Sequence, residues 1–258
     1  MLTLDEIKQE YNTDLHIFSR SLIREYLQYQ ILAIVFSHPK SYKLTFLGGT
    51  ALRIVYNLKR FSEDIDFDNK RLSFDEFREI GEFLKTELER QGYIVEIRML
   101  SKGAFHCYVK FPKILYEQGL SPLVDEKILI QLDTFDQGVD YDSNDFVLNK
   151  FDLLKQIKVT PKDVILAQKL WTITQRKRAK GRDFYDIMHL LQSTKPNKQF
   201  LEAKFGTSKA DAVKELVLQK VKNVDWKKVA KDVEPFLFKA EDSAKILLFE
   251  KFIMQVEF

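Results

Sequence analysis

The sequence predicts an α+β fold: a small mixed sheet flanked by helices, followed by a helical C-terminal domain. Three observations lead there. A short, half-apolar stretch at 42–47 runs into the pair Gly48-Gly49 and then into a helical repeat. Asp64, Asp66 and Asp68 alternate with Ile65 and Phe67, which is the period of a strand. Beyond about residue 148 the pattern turns helical and stays so. The expected division is therefore an α+β domain at 1–148 and a helical domain at 149–258.

Composition narrows the class. The chain has 258 residues, enough for one large domain or two small ones with a substantial core. Hydrophobic residues make up 45% and charged residues 31%, as in ordinary soluble globular proteins. Nine glycines and six prolines against 21 phenylalanines favour helices over a loop-rich fold. The net charge is only +3, so any nucleic-acid binding must rest on a local patch. Cys107 is the sole cysteine, which excludes an intrachain disulfide, reads as a small core residue and fits a reducing cytoplasm. No signal peptide and no apolar run of membrane length is visible, so no membrane role is expected.

Residues 1–11 read as a short amphipathic helix. Residues 14–37 read as a long one, with Leu15, Phe18, Leu22, Tyr26, Tyr29, Ala33 and Phe36 near helical spacing. Pro39 ends it. His16 and His38 read as surface or boundary residues rather than ligands. The strand at 42–47 then delivers the chain to Gly48 and Gly49, which allow backbone angles and a close ligand approach that a side chain would block. Thr50 is placed to cap the next helix and to offer a hydroxyl. Ala51, Leu52, Val55 and Leu58 set that helix over 51–58.

Alternate strand residues share a face, so Asp64, Asp66 and Asp68 project together while Ile65 and Phe67 anchor the other side. Like charges at that spacing make ionisation costly. A divalent cation removes the cost, and carboxylate oxygens suit Mg²⁺ or Mn²⁺, with Asp64 and Asp66 as the expected ligands. A bare Asp-x-Asp is more often a polar edge strand. The glycine turn in front changes the reading: phosphate held at Gly48, Gly49 and Thr50, facing two metal-binding carboxylates, is what metal-assisted phosphoryl or nucleotidyl transfer requires.

Ser73 with Glu76 forms a capping-box pattern for a helix running to about residue 91 and stopping at Gly92. Residues 93–100 and 104–111 alternate as a hairpin around Ser101-Lys-Gly, with His106 read as structural. Residues 126–135 form a further strand that carries Leu129, Gln131 and Asp133 on one face. Asp133 reads equally as a site carboxylate or as an acid at a strand end. Residues 136–149 show little periodicity and read as a loop or linker.

Thr160-Pro-Lys-Asp163 marks a helix start, with Thr160 as N-cap and Pro161 at the first helical position. Lys169 and Arg176 lie two turns apart on nearly one face, a cationic stripe suited to a triphosphate. The segment 176–182 carries five cations in seven residues. Asp183 and Asp186 follow, three apart and facing roughly alike on the next helix. Residues 198–258 read as three or four helices: a short one broken by Gly206, then 208–224, 225–238 interrupted by Pro235, and 241–257. Their many lysines fit either a nucleic-acid track or solvated helix faces.

Two stretches resemble a known family. Gly48-Gly-Thr-Ala-Leu-Arg53, followed by Arg60-Phe-Ser-Glu-Asp-Ile-Asp-Phe67, resembles the first motif of the AbiEii/AbiGii-type nucleotidyltransferases, toxins of bacterial toxin–antitoxin and phage-defence operons. Lys169-Leu170 through Arg176, then Arg182-Asp183-Phe-Tyr-Asp186-Ile187, resembles their second signature. The resemblance covers roughly residues 40–192. It implies the DNA polymerase β-like nucleotidyltransferase fold, an NTP donor, an RNA or tRNA acceptor and a neutralising antitoxin. It implies that Lys169 binds nucleotide phosphate, with Arg53, Arg176 and Arg182 as further nucleotide-binding residues. Asp183 and Asp186 would complete the site, one of them as a general base. Asp133 is the candidate for the third carboxylate that such enzymes take from a neighbouring strand. Two rivals stand beside this reading. An enzyme modifying a small-molecule, antibiotic-type hydroxyl has no need of the basic 176–182 loop. A non-catalytic nucleotide- or partner-binding module has no need of the full set of carboxylates and Lys169.

Overall fold

A computed structural model describes residues 1–258. Its contacts gather the chain into two compact units: residues 1–51, 62–137 and 143–159 in one, and residues 52–61, 138–142 and 160–258 in the other. No helix is long and apolar enough to cross a membrane.

The first unit carries α1 (Leu4–Gln9), α2 (Ser19–Val35), β1 (Leu44–Leu47), the start of α3 (Gly48–Ile54), β2 (Ile65–Asn69), α4 (Phe74–Arg90), β3 (Glu96–Lys102), β4 (Ala104–Phe111), α5 (Ile114–Glu117), β5 (Ile128–Phe135), β6 (Asn144–Lys150) and β7 (Leu153–Val159). All seven strands form one mixed sheet in the order β3-β4-β5-β2-β1-β7-β6. Pairing is antiparallel except for β2 with β5 and β1 with β7. Helices α2 and α4 pack on each other and on the sheet. The burial of α2 extends to Glu25, Gln28 and Gln30, so these polar groups need partners. Gln28 Nε2 donates to the carbonyls of Ser62 and Glu63, both at 3.0 Å, and so pins the segment that leads into β2.

Several expectations hold. The capping box at Ser73 and Glu76 starts α4, the hairpin at Ser101-Lys-Gly joins β3 to β4, and Gly206 ends a helix at φ +70°. Others need correction. The helix expected over 14–37 is a 3-10 segment (Thr13–Phe18) followed by α2. Helix α3 begins on Gly48 itself, so Thr50 lies inside it and caps nothing. Residues 136–149 are not all loop, because 144–150 form the edge strand β6. Only Leu148 of β6 is buried, so the strand lacks the alternation that would announce it. Its turn into β7 is Phe151-Asp152, with φ of 57° and 58°. Two successive residues at positive φ are the mark of a type I′ hairpin, usually made with Asn-Gly.

The second unit carries α6 (Lys162–Gln175), α7 (Gly181–Leu190), α8 (Lys198–Phe205), α9 (Ala210–Val221), α10 (Trp226–Val233) and α11 (Phe249–Gln255). Segments of 3-10 helix at Glu234–Phe236 and Ala240–Leu248 break the longer helices expected over 225–238 and 241–257. Val164, Ala167, Phe200, Leu201 and Val213 form one core cluster. Phe184, Trp226 and Phe249 meet edge-to-face or tilted within 5.5 Å in another. Thr160 does not cap α6. Its buried hydroxyl pairs with the Tyr141 hydroxyl at 3.0 Å, and its carbonyl accepts from Tyr56 at 2.8 Å. Residues 59–61 join this unit by backbone hydrogen bonds to 236–238.

Candidate active site

In the first unit the site is a row across the sheet. Asp66 on β2 is paired in register with Leu47 of β1 on one side and with Asp133 of β5 on the other. Asp133 is in turn paired with His106 of β4. Partners in register share a face, so His106, Asp133 and Asp66 stand side by side. Leu47 leads directly to Gly48, whose φ is +81°. A Cβ there would overlap the Asp66 carboxylate, so only glycine lets that carboxylate lie against the backbone at the start of α3. Asp64 sits one residue before β2. Its carbonyl accepts from the buried Thr50 hydroxyl, which ties the approach to β2 to α3. Asp68, the third acid of the strand, is buried and accepts from the Gln137 backbone N–H at 3.0 Å.

Asp133 is held from two sides. His106 Nδ1 lies 2.7 Å from its Oδ1, and Gln131 Nε2 donates to its two oxygens at 2.8 and 3.0 Å. Its side chain remains 31% exposed. Asp64 and Asp66 offer oxygen donors only. Mg²⁺ takes one or two carboxylates and fills its octahedron with water and substrate phosphate oxygens. Asp64 and Asp66 suit it in type and number, and no cage of three converging side chains is built.

In the second unit the expected residues form a buried charge network. Arg60 is 1% exposed and grips Asp186 with both arms, Nε to Oδ1 and Nη2 to Oδ2, each at 2.7 Å. Lys169 Nζ lies 2.8 Å from Asp183 Oδ1 and 2.9 Å from Asp186 Oδ2. Arg176 Nε stands 2.9 Å from Asp183 Oδ2, close enough for an ion pair but without hydrogen-bond alignment. Burial by itself would raise the Asp186 carboxyl, but the charges of Arg60 and Lys169 outweigh it and hold that group below the usual carboxylate range. Burial likewise opposes the charge on Lys169, and Asp183 and Asp186 overcome it, so the ammonium is held above its ordinary value. Asp186 is fully buried with both oxygens engaged by cations, and the Asp183 side chain is only 4% exposed. In this arrangement neither is open to an acceptor. Arg53 lies over the Phe238 ring at 4.7 Å, and Arg182 over Phe236 at 4.4 Å.

Sequence reasoning missed two members. Arg60 was visible only as the residue that opens the first motif, and nothing local marks it as the buried partner of a residue 126 positions away. His106 is placed by strand register, which no local pattern reveals.

Solved structures share the fold. JHP933 from Helicobacter pylori superposes with a TM-score of 0.56 at 17% identity, covering 91% of this chain and 90% of that one. A second H. pylori protein, provisionally described as a nucleotidyltransferase, gives 0.57 at 19% identity, covering 93% and 98%. No curated protein sequence matches significantly. The profile of the nucleotidyl transferase AbiEii toxins of type IV toxin–antitoxin systems matches residues 30–247. The chain belongs to the AbiEii family. It is a nucleotidyltransferase, and the AbiEii match runs well past residue 192, through most of the helical second unit.

Proposed function

We propose that this AbiEii nucleotidyltransferase moves a nucleoside monophosphate from an NTP to a hydroxyl of RNA, tRNA included. The reaction depends on a divalent cation, and the protein acts in the cytoplasm as the phage-defence toxin that a cognate antitoxin neutralises. The observation that carries the reading is Asp66 seated against Gly48, in register with Asp133. It supports a metal-bound triphosphate brought to carboxylates of graded exposure.

Asp64 and Asp66 would hold Mg²⁺ or Mn²⁺, which when bound offsets triphosphate charge and makes the α-phosphorus more electrophilic. The absent side chain at Gly48 lets the Asp66 carboxylate lie against the start of α3, where the phosphates would be brought to it. Lys169, Arg176 and Arg182 supply cations for the phosphates, and Arg53 adds a further one. Asp183 and Asp186 act on Lys169, keeping it charged and aimed. Of Asp133, Asp183 and Asp186, any of which could act as the base, Asp133 is the exposed one, so it takes the proton from the acceptor hydroxyl. The acceptor oxygen bonds to the α-phosphorus as the bond to the β-phosphate oxygen breaks, and pyrophosphate leaves.

The test is incubation of the protein with each α-³²P-labelled NTP, Mg²⁺ and total bacterial tRNA. Label on RNA from at least one NTP is the expected result. NTP binding with no labelled RNA, under any metal, would remove the RNA acceptor.

A further inference from the structure

A second feature of the helical unit shares only Arg176 with the chemistry above. The end of α6, the 176–180 loop, the end of α9 and the start of α10 enclose a cleft of about 380 Å³. That is within the range of about 300–1,000 Å³ typical of ligand sites. Its floor is apolar and fixed: Ile173, Phe184 and Val221 are each 5% exposed or less, and Phe184 is wedged between Trp226 and Phe249. Its rim carries Lys177, Arg178, Lys220 and Lys228, none of which has a carboxylate within ion-pair distance. The two acids on the lining are already committed. Asp225 caps α10 through the Lys228 N–H at 3.1 Å, and Asp232 accepts from the Gly181 N–H at 2.9 Å. Gly181 is required for this geometry, because a Cβ there would overlap the Val229 carbonyl on α10.

Four cations without partners around a rigid apolar floor ask for a ligand that is anionic at its edge and apolar at its centre. A nucleotide unit has that form: phosphates for the rim, base and ribose for the floor. Loose surface lysines would give only the first half of the pattern. We infer that this cleft binds one nucleotide unit of the acceptor strand and so holds the RNA while its hydroxyl reacts. The inference rests on the RNA-acceptor reading above. A free mononucleotide offers the same chemistry, and the experiment separates the two.

The test uses Lys220→Ala/Lys228→Ala, with Lys177→Ala/Arg178→Ala as a second variant in case the first unfolds, each checked by thermal unfolding. Binding of a fluorescein-labelled single-stranded oligouridylate is followed by anisotropy across a salt series, with UMP as competitor. The expected result is RNA binding weakened about tenfold and a log–log salt slope shallower by about 1 to 1.5, since each single-strand phosphate contact contributes about 0.7. NTP affinity should be unchanged. Unchanged RNA affinity and slope would overturn the inference, as would UMP displacing the strand at equal concentration. The two readings fail separately. RNA labelled with wild-type KM by the variant removes the cleft and leaves the reaction. RNA bound through the cleft but never labelled keeps the cleft and removes the RNA-acceptor reaction.

Discussion

Gly48 and Arg60 show how single residues set the candidate residues within each unit. Gly48 combines a left-handed backbone with a carboxylate where a side chain would be. Gly48→Ala should cost about 1–3 kcal/mol of stability from the strained backbone. It should cost nucleotidyl transfer at least about 100-fold, because Asp66 is displaced. Thermal unfolding and label transfer on the same preparation separate the two effects. Arg60 is the counter-ion of a buried carboxylate, so Arg60→Met should destabilise by about 3–5 kcal/mol in urea unfolding. Arg60→Lys should rescue poorly, since an ammonium cannot bind both oxygens as the guanidinium does. The pH dependence follows from Asp186. Arg60 and Lys169 hold its folded-state pKa below the usual carboxylate range, so its contribution is present above the unfolded carboxylate's pKa and lost as pH falls through the folded one. The stability advantage of wild type over Asp186→Asn should therefore be full near neutrality and shrink below about pH 4, which acid titration of the two proteins can measure. At this scale the glycines and the Asp-x-Asp were legible in the sequence, since their chemistry is local. The pairing of Arg60 with Asp186 was not, because it joins residues far apart in the chain.

Among the elements, β5 and the β6–β7 hairpin make the contrast clear. Strand β5 was legible from its alternation, but its value to the site comes from register: Asp133 is level with Asp66 and His106. Asp133→Asn should lower kcat of transfer by about 100-fold or more while NTP affinity is kept, if it takes the proton. Single-turnover transfer and equilibrium binding check the two halves. The hairpin was not legible, because Phe-Asp is an unusual choice for a turn that needs two positive φ angles. Its choice is explained by packing. Phe151 is buried, edge-on to Tyr26 and Tyr29 with ring centroids at 5.2 and 5.3 Å. Asp152→Gly should thus stabilise by up to about 1 kcal/mol by relieving the left-handed backbone. Phe151→Gly should destabilise by about 3–5 kcal/mol despite the same relief, because the lost packing is larger. Chemical denaturation of both variants gives the signs directly.

Over the whole molecule, the mixed sheet with its helical companion was legible because each element announced itself by period, and the AbiEii match extends that reading to residues 30–247. The net charge of +3 is small, yet Lys177, Arg178, Lys220 and Lys228 of the helical unit stand around one cleft. This is local patterning that a composition cannot express. The central claim is that Asp64 and Asp66 make a metal-dependent nucleotidyl transfer site. It is tested most directly by the single-turnover rate of label transfer from an α-³²P NTP as Mg²⁺ is titrated, for wild type, Asp64→Asn and Asp66→Asn. The account predicts a saturable Mg²⁺ dependence abolished by chelation, and a loss of at least about 1,000-fold in each variant with NTP binding to the metal-free protein retained. Wild-type transfer that persists in chelator, or variants that transfer at the wild-type rate, would contradict it.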